Sequence, residues 1–248
     1  TYESHYPPVR NISKKLERWL LSSKNFKIVL ISEGLLEAYE GVGMRLNNYI
    51  ISPDAARLLM ESFPCRKEFL GGCNNIGYVG SLYQGRGIEL ILQIANVMSN
   101  RKFHIIGDKS NFKFTKEIPK NVFFYGKMSP HQAELITSLF DILLMPYQEK
   151  VMVRNGLETS KWMSPMKLFE YMLSGKPIIS SDMPAIKEIL TNKVNAYLVK
   201  PSKVSEWCSA IEELDDSTCR YEISKNAFNE AREKYTWERR VDKILNQL

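Results

Sequence analysis

Short apolar runs of strand length alternate with stretches of helical spacing along the whole chain. In the first part, residues 26–31 (FKIVLI) and 48–51 (NYII) read as strands, and residues 12–21 place Ile12, Leu16, Trp19 and Leu20 near helical spacing. Ser32 is set to cap a helix through about residue 39, which the Gly41-Val42-Gly43 breaker ends, and Pro53 is expected to open another helix to about residue 62. The patch Gly71-Gly72-Cys73-Asn74-Asn75 marks a boundary. Beyond it, strands are expected at 76–79, 103–106, 122–125, 142–145, 178–181 and 196–199. Helices are expected near 87–99, 130–140, 164–174, 184–191, 203–214 and 220–234. This alternation predicts an α/β fold whose parallel sheet is covered on both faces, with functional loops at the carboxyl ends of the strands.

The organisation that follows is residues 1–72 as a partial Rossmann-like domain, 73–235 as a complete one, and 236–248 as a closing helix that crosses back towards the first. Residues 1–72 hold fewer strands than the roughly five or six of a doubly wound domain, and Thr1 opens the chain. The expectation is a first domain lacking its N-terminal half.

Two segments break the regular rhythm. Residues 147–163 form a long polar connection after a strand ending at Pro146, and connections of this length in compact domains are usually functional or mobile. It leads into SPMKLFEYMLSGKP, residues 164–177. There Ser164 is expected to cap a helix with Pro165 at its first position, Gly175 to stop it in the left-handed region, and Pro177 to prevent continuation. Lys167 lies in the first turn and Glu170 one turn on. A helix start beside a lysine suits an anion, because free N–H groups and the positive end of the dipole point outward. A packing helix with two unrelated charges has the same spacing, and on these residues alone both readings stand.

Composition narrows the rest. With 248 residues, 44% hydrophobic and 25% charged, the chain is globular, and it holds no run near the roughly 18 apolar residues of a membrane span. The four cysteines (Cys65, Cys73, Cys208, Cys219) lack metal-ligand spacing and suit reduced thiols. A net charge of +6 suits phosphates or an acidic membrane surface. Without a basic face interleaved with aromatics, a nucleic-acid partner is disfavoured.

Candidate chemistry gathers at strand ends. Gly80-Ser81-Leu82-Tyr83-Gln84-Gly85-Arg86-Gly87 follows the first strand of the second domain, with glycines that admit a ligand to the backbone and Arg86 near a helix start. Its spacing is not the dinucleotide fingerprint GxGxxG. Gly107-Asp108 and Gly126-Lys127 end the next two strands, and Asp141 reads as a structural strand-entry residue. His104 sits in a strand and His131 in a first helical turn, both more simply structural. His5, near Glu3, is the best general acid/base candidate by chemistry.

Taken together, YVGSLYQGRGIELI, FHIIGD, NVFFYGKMSPHQ, DILLMPY, SPMKLFEYMLSGKPIISSDMPAIKEIL and YTWERR resemble glycosyltransferase family 4, the retaining GT-B enzymes that move a sugar from a nucleotide-sugar donor. The resemblance covers most of residues 75–240, and ISEGLLEAY falls in what looks like the second half of the acceptor domain. It implies that Glu170 accepts from the ribose hydroxyls and that Lys167 and the backbone at Ser164, Pro165 and Met166 face the diphosphate. The resemblance further implies that Gly80 and Ser81 line the donor and that Arg86 neutralises charge on the leaving nucleoside diphosphate.

It also implies no cofactor and no metal, a glycan or lipid-linked acceptor, and a cytoplasmic location with room for peripheral contact at the inner membrane face. Two positions depart from the family pattern. Ser81 stands where an arginine is common, with Lys167 as its substitute, and Trp162 stands where the first glutamate of a Glu-x7-Glu pair is expected. The alternatives from other classes are a non-catalytic nucleotide-binding or interaction module and a GT-B-like epimerase or hydrolase.

Overall fold

The computed structural model describes residues 1–8, 11–22, 26–112, 117–153 and 157–247. Two parallel sheets result. The first joins β1 (Tyr2–Ser4), β2 (Ile28–Leu30) and β3 (Tyr49–Ile51), in that order, with α1 (Asn11–Ser22) and α2 (Glu33–Gly41) as the connections. Ile28, Val29 and Leu30 are all buried, as a strand covered on both faces requires, and Leu35 and Tyr39 of α2 complete that core. Ser32 caps α2 as expected, accepting from the Leu35 N–H at 3.0 Å.

The second sheet carries β4 (Asn75–Val79), β5 (Lys102–Ile106), β6 (Val122–Gly126), β7 (Ile142–Met145), β8 (Ile178–Ser181) and β9 (Tyr197–Val199). Between the strands run α3 (Ile88–Val97), α4 (Pro130–Thr137), α5 (Met166–Leu173) and α6 (Pro184–Lys187). After β9 come α7 (Val204–Glu213), α8 (Ser217–Lys234) and α9 (Trp237–Leu245). All six strands are parallel, in the order β6-β5-β4-β7-β8-β9. Helices α3 and α7 cover one face, and α5 and α8 cover the other. The four cysteines form no disulfide.

The helix expected from Pro53 does not form. That stretch crosses between the sheets, and its backbone polar groups find partners far along the chain. The guanidinium of Arg240 donates to the carbonyls of Ser52 and Pro53, while the Ala56 N–H donates to the Tyr235 carbonyl at 3.0 Å. Those bonds replace the intrahelical ones that local propensity favours. The helix expected over 184–191 shortens to Pro184–Lys187, because Asn195 accepts the Thr191 N–H and turns the chain towards β9.

The strand order reverses between β4 and β7, which is the switch point where open α/β sheets hold ligands. Pairing across it covers only Ile76 with Ile142 and Gly77 with Leu143. Above those residues the strands part, and the Val79 N–H donates instead to the Tyr171 hydroxyl of α5 at 2.7 Å.

Candidate functional site

The crevice at this reversal is floored by aromatic rings. Tyr78, the last but one residue of β4, has its ring buried and its hydroxyl donating to the Ser81 carbonyl at 2.8 Å. Tyr147 follows β7 and Tyr171 rises from α5, both buried. Two basic side chains rest on this floor. Lys167 Nζ stands 3.7 Å from the Tyr78 centroid, and the Arg86 guanidinium carbon stands 4.9 Å from the Tyr147 centroid. Lys167 Nζ and Arg86 Nε are both enclosed, and neither has a hydrogen-bond partner.

Gly80 makes the lysine's position possible. Its φ of +147° is open to glycine, and a Cβ there would lie 2.5 Å from Lys167 Nζ. The lysine therefore occupies the space beside the turn that begins with Gly80 and Ser81, although it comes from a helix. Burial and the like charge of Arg86 push the Lys167 ammonium well below the usual lysine range, against the pull of Glu170. A desolvated cation–π contact is worth about 2 kcal/mol, whereas burying an ammonium costs several kcal/mol, so the ring offsets only part of that cost.

Glu170 lies on the exposed rim of the crevice, one turn beyond Lys167. Crowding by protein raises its carboxyl above the usual range, Lys167 pulls it down, and Glu134 of α4 raises it further. The connection after β7 is laced to the Gly85 turn: the Gln148 N–H donates to the Gly85 carbonyl at 2.9 Å and the Met152 N–H to the Gln84 carbonyl at 3.3 Å. It then folds back through a bridge between Met152 and Glu158. Its residues 154–156 lie outside those described.

Ser164 corrects the expected cap. Helix α5 begins at Met166 after Pro165, and no side chain caps it. The Ser164 hydroxyl oxygen accepts instead from the Asp54 N–H at 2.8 Å, joining the crossing segment to the entry of α5. The Leu168 N–H turns back to the Pro165 carbonyl. The first-turn amides left for an outside acceptor are thus those of Met166 and Lys167. Gly175 ends the helix at φ +69°, as expected.

Beside the crevice, a cavity of about 250 Å³ opens at the ends of β4, β5 and β6. Ser81, Gly107, Asp108, Lys127 and Met128 are among its lining residues. Asp108 is held below the usual carboxylate range by its hydrogen bonds to Ser110. Sequence reasoning placed Arg86, Lys167, Gly80, Ser81 and Glu170 at one edge, and the structure brings them together. It missed the three tyrosines, whose only signal is their place in otherwise apolar strands and helix faces.

The other candidates are structural or lie elsewhere. His104 bonds Tyr125 and Asn75, and Asp141 accepts from the Asn75 N–H at 2.8 Å, tying strand entry as expected. His131 is exposed on α4. His5, at the carboxyl end of β1, lies 3.0 Å from Glu3 Oε1. Glu3, His5 and Asp54 come within 4.8 Å of one another, a grouping that linear spacing hides, and Glu3 is also bonded to Arg240. Among the described residues no helix is long and apolar enough to cross a membrane.

Comparison with known proteins agrees with this architecture. The chain is 24% identical over 128 residues to TuaH of Bacillus subtilis (strain 168), named for a teichuronic acid biosynthesis glycosyltransferase; the match covers 50% of this chain and 30% of TuaH. A glycosyltransferase from Rickettsia africae superposes with a TM-score of 0.75 at 15% identity, over 98% of this chain and 68% of that one. Anabaena HepE, solved in complex with UDP and glucose, superposes with a TM-score of 0.73 at 15% identity, over 99% of this chain and 70% of that one. The fold shared with them is that of GT-B glycosyltransferases. Residues 73–216, more than half of the chain, match the family described as glycosyl transferases group 1, and this protein belongs to that family.

Proposed function

We propose that the crevice between β4 and β7 is the donor site of a retaining glycosyltransferase of the family 4 type. It would hold the nucleoside diphosphate of a nucleotide sugar and pass a hexosyl group to a glycan or lipid-linked acceptor. The observation that carries this reading is the pair of enclosed basic side chains, Arg86 and Lys167, without hydrogen-bond partners at Nε and Nζ. Two buried basic groups at a switch point answer to a diphosphate, whose oxygens supply the missing acceptors.

In this reading the backbone at Gly80 and Ser81 and that at Ser164, Pro165 and Met166 flank the diphosphate, and Glu170 accepts from the ribose hydroxyls. The cavity beside Met128 receives the base. As the bond from sugar to phosphate breaks, charge grows on the leaving diphosphate. Arg86, Lys167 and the first-turn amides of α5 stabilise that charge without a divalent cation. His5, beside Asp54 and so next to the entry of α5, is the candidate on the acceptor side for contact with the transferring sugar. The name of TuaH and the ligands of HepE support a nucleotide-sugar enzyme of polysaccharide assembly. In this reading it acts in the cytoplasm, with peripheral access to the inner membrane face.

Calorimetry with UDP, GDP and ADP tests the site. One of them is expected to bind, and Lys167→Ala or Glu170→Ala to weaken it by about tenfold or more, or about 1.4 kcal/mol. Absence of binding to all three overturns the reading. Release of free sugar from a donor without any acceptor would favour a hydrolase.

A further inference from the structure

Lys167 is held differently from a surface phosphate-binding lysine. Its Nζ is closed off from solvent and has no hydrogen-bond partner, so an ammonium there would hold three N–H donors with no acceptor to receive them. Every element packed against it contributes a group. Tyr78 of β4 and Tyr147 after β7 present rings, Arg86 from the turn before α3 presents a like charge, and Glu170 of α5 presents the opposite charge acting on it among the described residues. That carboxylate is on the exposed rim, while Arg86 shares the enclosed floor.

We propose that binding of the donor takes up one proton at Lys167, so that the free crevice holds a neutral amine and the filled crevice an ammonium. The inference rests on the donor-site reading above. The proton comes from solvent or buffer to the lone pair of Nζ, and no covalent bond between heavy atoms forms or breaks. A diphosphate reverses each cause that disfavours the charge: it supplies oxygen acceptors to the N–H groups and offsets Arg86 with its own negative charge. The direction of the Lys167 shift agrees with this arrangement.

Linkage then fixes a pH signature. Where the free amine is neutral and the bound form is charged, affinity falls about tenfold for each unit that pH rises. The cation would thus assemble together with its ligand.

The test is calorimetry at about pH 8.5 with UDP-glucose, GDP-mannose and ADP-glucose, whose diphosphate diesters do not titrate in that range. Measured in buffers of different ionisation enthalpy, the slope of heat against buffer enthalpy counts the protons. About one proton taken up per donor is expected. Lys167→Arg, which stays charged, should bind with the uptake abolished and a flat pH dependence. Lys167→Met should lose the uptake and bind more weakly, with thermal melts reporting that each variant folds. Donor binding by the native chain without proton uptake overturns the proposal, as does uptake that persists in folded Lys167→Arg. If none of the three donors binds, the donor-site reading itself falls, and this inference with it.

Discussion

The Glu188 carboxylate bonds the backbone N–H of Gly34 at 3.0 Å and that of Glu33 at 2.9 Å, reaching from the second sheet's α6 region to the first turn of α2. The first turn of a helix is where orphan amides and the positive dipole end coincide, so a carboxylate there is doubly suited. Ser32, beside it, donates to the Trp162 carbonyl at 2.8 Å. Glu188→Ala is expected to cost about 1–2 kcal/mol and to expose the junction to limited proteolysis. Glu188→Gln, which keeps an acceptor, should cost less. Equal thermal melts and cleavage patterns for both variants and the native chain would contradict this.

Acid should loosen the same junction at a second point. Burial alone would raise the Glu3 carboxyl, but hydrogen bonding and charge from Arg240, with His5, outweigh it and hold the group below the usual range. A lowered carboxyl contributes stability above its unfolded value near 4.5, and that stability is lost as pH falls through the folded value. Glu3→Gln is therefore expected to flatten part of the acid limb of a Tm-against-pH curve while leaving the neutral plateau lower.

Gly80→Ala should strike the crevice between β4 and β7 more than the fold. The added methyl meets the far end of a flexible side chain, so Lys167 moves off the Tyr78 ring instead of the backbone yielding. The strained φ adds about 1–3 kcal/mol. Nucleotide binding is expected to weaken about tenfold or more, read by calorimetry on protein that still melts cooperatively.

Arg220 offers a purely structural test. Buried in α8, it donates to the carbonyls of Phe69, Gly71, Leu214 and Asp215, so one side chain ties the start of the boundary patch to the turn between α7 and α8. Arg220→Met leaves those carbonyls without their donor. A loss of about 3–5 kcal/mol is expected in denaturant unfolding, with nucleotide affinity of the remaining folded protein little changed.

The centre of the second sheet was legible because β7 and β8 are buried on both faces and open on apolar runs, whereas the edge strand β6 alternates buried and exposed positions. Ile142–Met145 and Ile178–Ser181 fall where the pattern puts them. The Pro53 helix was misread because the partners of that segment are Tyr235 and Arg240, which no local window contains. Ser164 has the chemistry of a cap, but the amide of Asp54 claims its oxygen. At the site, Lys167 and Arg86 were visible as charges near helix starts. That they lie on tyrosine rings depends on the parting of two strands, and tertiary pairing alone decides it.

That parting also sets how the molecule breathes. A sheet joined over two residue pairs at its centre, and more fully elsewhere, has a seam that divides it into β6-β5-β4 and β7-β8-β9. Amides that hold the outer pairings should exchange with deuterium as two separate protected blocks. The Val79 amide, fastened to the Tyr171 hydroxyl and to no strand, reports on the seam itself. A ligand lodged there acts as a stitch, and slower exchange at Val79 would be its first mark.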